Sequence, residues 1–249
     1  MSRRLRCGLL ALVVILGLGV SVRAAGLVAD LSHHLIAITT AFTGSDVLLF
    51  GALEETGGDV VVVVTGPRTT QTVRARERTL GFWMPGAEMS FTGVPSFYAV
   101  AATRPLAAFT NPALRARHEL GVDSLRLQPV SAFNPERIAR FRTALIGLQQ
   151  LRGLYPVELG EVSMLGDRLF RTTLPFPANV TSGPYQVQVL RIVANQVVEA
   201  QASVLTVSKV GLEADLTDFA LRHGAWYGLA ALLLAISAGW LANMAFRRS

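Results

Sequence analysis

Few residues in this chain are of types that could do chemistry, and their spacing assembles little. His33 and His34 are adjacent, and neighbours in a strand point to opposite faces, so the two rings could not share one ion. Asp30, Ser32 and His34 would fall on one face, but two candidate ligands without a third hold no metal, and no metal site is expected. His118 and His223 sit next to expected helix ends, where solvation or capping is the usual role. Arg74, Arg76 and Arg78 recur at period two, which on a strand places them on one face. Such a face is either an anion cradle, for an oxyanion or lipid headgroups, or a charged edge that blocks unwanted sheet pairing; the edge is favoured. Next to it "GFWMPG" carries Trp83, a partner surface if it points outward and core if it does not.

Other catalytic devices are missing from the sequence. The one cysteine, Cys7, lies in the apolar start of the chain, which removes thiol chemistry and disulfides from the remainder of the protein. There is no Gly-rich phosphate loop, no GxSxG elbow and no HExxH. Carboxylates such as Asp30 and Glu77 show no spacing that would bring them together. No catalytic residue and no cofactor are expected, and the chain does not read as an enzyme.

The elements that would hold these residues are mostly strands. From Leu27 to Thr103, short runs rich in Val, Thr and aromatics are punctuated by Gly, Pro and Asp about every ten residues, as in a β-sandwich. Five consecutive valines, Val60 to Val64, lack alternation, so that strand should be covered on both faces. Two helices come next, each opened by Asn-Pro. Asn111 caps the first, with Gly121 past its end; Asn134 caps the second, with Ile138, Phe141, Leu145 and Leu148 on its buried stripe. Strand character resumes before residue 170. The alternation at Tyr185, Val187 and Val189 changes phase at Leu190, predicting a bulge near Val189 and a hairpin turn at 194–196 with Asn195 left-handed. "LPFPANVTSG" before Tyr185 has the form of the corner that precedes the tyrosine-bearing strand of immunoglobulin-like sandwiches. The expected fold is mainly β: an immunoglobulin-like sandwich in two parts, 25–104 and 157–210, with a helical insertion at 105–156.

Two apolar stretches bring the mean hydropathy to +0.43. In the first, Arg3, Arg4 and Arg6 precede an uncharged run from Cys7 to Val20 that ends in small residues, the pattern of a signal peptide (1–24) cleaved after Ala24. The second, residues 225–246, is free of charge and long enough for a transmembrane helix. It is preceded by a short amphipathic segment, 211–224, and followed by Arg247 and Arg248 in a tail, 247–249, that should remain cytoplasmic. The formal charge of +6 then resides in the arginines of the signal and tail. The exported part is neutral, which excludes nucleic acid as a partner. Along the anchor, Ala231, Ala235, Gly239 and Asn243 recur every fourth residue, a face of small side chains suited to helix packing.

The stretches "ITTAFTGSDVLLFGAL", "VRARERTLGFWM", "FTGVPSFYAVAAT", "LPFPANVTSGPYQVQV" and "AWYGLAALLLAISAGW" resemble the alphaproteobacterial putative transmembrane protein family. That resemblance implies an exported domain with one C-terminal anchor and carries over no catalytic residue. By its association with sulfite-exporter-type permeases it also suggests a transporter as partner. The expected protein is a single-pass module of the bacterial inner membrane, its N-terminal domain periplasmic and its C-terminus cytoplasmic. It would contact another protein, such as an integral membrane transporter, or a second copy through the anchor. The alternative is a periplasmic small-anion or metal binder using Arg74, Arg76 and Arg78 or His34.

Overall fold

Period-two burial marks most of the strands. In the computed structural model residues 26–79, 82–131, 134–210 and 224–246 are described, without the side chains of 76–79, 82–85, 225, 226, 230, 242 and 244–246. The strands in chain order are β1 (Leu27–Leu31), β2 (Leu35–Ile38), β3 (Gly44–Leu53), β4 (Asp59–Thr65), β5 (Arg68–Thr79), β6 (Phe82–Pro95), β7 (Tyr98–Ala102), β8 (Gln128–Pro129), β9 (Gly160–Glu161), β10 (Ser163–Leu165), β11 (Leu169–Pro177), β12 (Gly183–Val193) and β13 (Gln196–Lys209). In β11, Phe170, Thr172, Leu174 and Phe176 are buried while the residues between them are exposed, the signature of a strand with one wet face. In β4 all of Val60 to Val64 are buried, so both faces are covered as the uninterrupted run requires.

The fold is mainly β with several sheets. One has four strands in the order β1-β3-β11-β10, another six in the order β2-β13-β12-β4-β7-β9, and a third joins β5, β6 and β8. The chain changes sheet twice at the edges, between β1 and β2 and at Val162 between β9 and β10. These crossings bring in the only parallel pairs among the described residues, β2 with β13 and β7 with β9. Gln201 on β13 links the two larger sheets, accepting from the Ala29 N–H at 2.6 Å and donating to its carbonyl at 2.8 Å. Phe97, Phe176 and Tyr185 meet between the sheets, all almost fully buried. The Tyr185 hydroxyl donates to the Thr181 carbonyl four residues upstream at 2.7 Å, which satisfies the polar end of a ring otherwise in the core.

Two insertions interrupt the strands of the larger sheets. The long β5–β6 hairpin lies between β4 and β7, and a helical segment lies between β7 and β9, containing α1 (Pro112–His118) and α2 (Pro135–Leu151). Both helices start as Asn-Pro predicts: Asn111 accepts from the Leu114 N–H and Asn134 from the Glu136 N–H. Helix α1 stops at Glu119, whose backbone is left-handed (φ 52°), with Gly121 past its end as expected. The Glu119 carboxylate accounts for this choice, since it pairs with Arg68 at 2.5 Å and accepts from the Arg126 N–H at 2.8 Å. In α2 the buried side chains are Phe141, Leu145, Ile146 and Gln149. Leu148, expected inside, is 43% exposed because the helix is turned toward Ile146 and Gln149.

The β12–β13 turn is a two-residue one, with Ala194 (φ 49°) and Asn195 (φ 63°) both left-handed. The register shift falls between Arg191 and Ile192 and not near Val189. The phase change at Leu190 has another cause: from Val189 to Ile192 every side chain is buried, so both faces of that end are covered. Finally, α3 (Gly224–Phe246) is a 23-residue helix without a charged residue. Taken over the described residues alone, no helix is long and apolar enough to cross a membrane, the longest unbroken run of described side chains in α3 being 231–241. The signal segment, residues 211–223 and the tail lie outside the described residues.

Candidate interaction surfaces

Strand β5 carries the three arginines, of which Arg74 has a described side chain. Arg74 is paired across the hairpin with Glu88, Nη2 to Oε2 at 2.5 Å and Nε to Oε2 at 3.0 Å. The β5–β6 register shifts between Arg74 and Arg76, with the extra residue on the β6 strand. The side chains of Arg76, Arg78 and Trp83 lie outside the described residues. Glu88 is fourteen residues away in sequence, so only the hairpin register brings it to Arg74.

The histidine pair lies in the crossing between β1 and β2, where strand alternation does not apply. His34 Nε2 stands 3.1 Å from Asp30 Oδ1 and His33 Nδ1 stands 3.0 Å from Ser32 Oγ, all on the surface. Among the described residues no three metal-ligating side chains gather. His118 is held below the usual histidine range, first by burial and then by Arg117 and Arg126, while His223 is outside the described residues. On α3, Ala231, Ala235, Gly239 and Asn243 are all exposed, and a Cβ at Gly239 would meet nothing within 4 Å.

Three surfaces were not found from the sequence. A cavity of about 1090 Å³ opens between α2 and the β5–β6 hairpin, with Val73, Ala87 and Phe141 below and Arg74 and Arg140 at its rim. Among the described residues its lining is mostly apolar and basic, with Glu136 as its one carboxylate. A second cavity, of about 930 Å³, is polar: buried Arg191 lies there with Glu54, Glu55 and Glu199. Arg191 Nη2 donates to Glu55 at 2.9 Å and to Glu199 at 3.0 Å, and Nη1 donates to the Gly57 carbonyl at 3.1 Å.

The third surface is the outer face of the four-stranded sheet. Val28 (63% exposed), Leu48 (40%), Phe50 (46%) and Leu169 (53%) project from three adjacent strands. The register sets them in rows, with Val28 beside Ala52 and Ala52 beside Leu169, and with Phe50 flanked by Asp30 and Arg171. A signal for it existed in "VLLF" at 47–50, an apolar run without alternation like the valines of β4. In β4 the fold covers both faces; in β3, Val47 and Leu49 are buried while Leu48 and Phe50 remain in water. These four side chains make this face apolar where it meets water.

Over residues 26–248 the chain matches the family described as Putative transmembrane protein (Alph_Pro_TM). No curated protein and no solved structure matches it. The match takes in nearly the whole chain, and the protein belongs to that family of transmembrane proteins of unknown function.

Proposed function

We propose that the protein is a membrane-tethered, non-enzymatic interaction module of the bacterial cell envelope. Its exported body is an immunoglobulin-like sandwich that contacts another protein through the outer face of the four-stranded sheet. The observation that carries this reading is that face: Val28, Leu48, Phe50 and Leu169 stay exposed where a strand open to water would present polar residues. The immunoglobulin-like assignment draws on the strand orders, on the parallel β2–β13 pair beside the antiparallel β12–β13 pair, and on the Tyr185–Thr181 corner.

The tether is α3. Its 23 uncharged residues at ~1.5 Å each extend about 34 Å, enough for a hydrocarbon core of ~30 Å. The family description supports a membrane location. An exported body with the C-terminus inside follows from the arginine-rich apolar start and from Arg247 and Arg248 after the helix. Alkaline carbonate extraction tests the tether: the full chain should stay with the membrane pellet, and release into the supernatant would refute it. A native gel of gently solubilised membranes tests the contact surface. Phe50→Lys should shift the chain to a smaller species, and an unchanged band would count against the sheet face as the point of contact.

A further inference from the structure

We propose that the outer face of the four-stranded sheet binds a second copy of this chain, related by a two-fold axis running along β3. This rests on the reading of that face as the interaction surface and names its partner. Charge decides the arrangement. Asp30 on β1 and Arg171 on β11 occupy one cross-strand row, on either side of Phe50 on β3. They lie two strand spacings apart, roughly 10 Å. Arg171 makes no ion pair among the described residues, and the Asp30 carboxylate is exposed beside His34.

Two copies stacked face to face about an axis along β3 exchange the β1 side of one with the β11 side of the other. Asp30 then meets Arg171 of the second copy twice, once on each side of the axis. Val28 meets Leu169 in the next row, and Phe50 and Leu48 meet their own counterparts on the axis. A two-fold axis across the strands would instead set Asp30 against Asp30 and Arg171 against Arg171, a like-charge arrangement that is destabilising. Sheets that pack face to face keep their strands nearly aligned, which an axis along β3 permits. The surface is therefore self-complementary in charge and in apolar content, as an isologous interface must be.

The test uses full-length chains in a mild non-ionic detergent, with two different tags, scored by co-purification of one tag with the other. Wild-type copies should co-purify. Asp30→Arg copies should lose at least ~90% of that signal among themselves, and so should Arg171→Asp copies, since each then faces a like charge twice. Mixing the two variants should restore it, because opposite charges then meet at both contacts: the reversed pair at one and the native Arg171–Asp30 pair at the other. Phe50→Lys should abolish it in every combination. Wild-type chains that do not co-purify would overturn the proposal, as would charge variants that associate like wild type, the behaviour of a dimer held by α3 alone. A mixture that fails to recover would rule out the axis along β3. Should wild-type copies stay apart while a probe at position 50 captures a different protein in native membranes, self-association falls and the interaction module stands. If that probe captures nothing either, both fall.

Discussion

Phe97 and Phe176 stack across the gap between the two larger sheets, ring centroids 5.0 Å apart at an interplanar angle of 23°. Phe176 comes from β11 of the four-stranded sheet, while Phe97 precedes β7 of the six-stranded one. The Tyr185 ring meets both, at 6.0 Å from Phe97 and 5.7 Å from Phe176. Phe176→Ala should cost about 3–5 kcal/mol, because it leaves a void in a closely packed cluster. Thermal unfolding of the full chain in detergent measures this, and a loss under 1 kcal/mol would mean the sheets are held elsewhere.

Tyr185→Phe should cost much less. The ring stays in place and the hydrogen bond to the Thr181 carbonyl goes, a loss of about 0.5–1.5 kcal/mol. Burial pushes the Tyr185 hydroxyl up, so it stays protonated and able to donate throughout the neutral range. The same melting experiment separates the two substitutions.

Asp59 predicts a pH dependence. Arg104 donates to both of its oxygens, at 2.7 and 2.5 Å, and Thr103 donates to one at 3.0 Å. The Arg104 hydrogen bonds are the main reason the carboxyl is held below its usual range; burial opposes them and Thr103 assists. A carboxyl whose folded pKa lies below its unfolded value of about 3.9 stabilises the fold above that pH and loses the contribution as pH falls through the folded value. Asp59→Asn should therefore melt below wild type at pH 7, and the gap should close on acidification below about pH 4. A gap that is constant with pH would show the ion pair contributes nothing.

Arg191→Met should cost about 1–3 kcal/mol, since it strips the partner from Glu199, whose side chain is only 17% exposed. Adding Glu199→Gln should return part of that loss, and urea unfolding of both variants measures the difference. In the opposite direction, Ala194→Gly should raise stability by about 0.5–1 kcal/mol, because an alanine at φ 49° carries the steric cost of its Cβ in a left-handed turn.

Local features of this fold were legible in the sequence, and long-range ones were not. The Asn-Pro starts of α1 and α2, the burial of Val60 to Val64 and the left-handed Asn195 each depend on a few neighbouring residues, and each is found. The pairing of Arg74 with Glu88 depends on the register of a hairpin with two shifts in it, which no local pattern contains. The strands β8 and β9 are two residues long and exist because a sheet edge is there to receive them. Leu48 and Phe50 read locally only as part of an apolar strand; that their side faces water depends on which strands flank β3. Of the residues whose types suggested chemistry, Arg74 is paired with Glu88, and His33 and His34 stand beside Ser32 and Asp30 on the surface, neighbours that no local pattern named.

A photocrosslinking residue at position 50 of the full chain in its native membrane bears hardest on the proposed contact surface, with position 186, exposed on β12 of the other large sheet, as the control. Irradiation should give one discrete covalent adduct from position 50 and little from position 186. Equal yields from the two positions, or none from position 50 in a chain that is folded and membrane-bound, would contradict the assignment of that face as a binding surface.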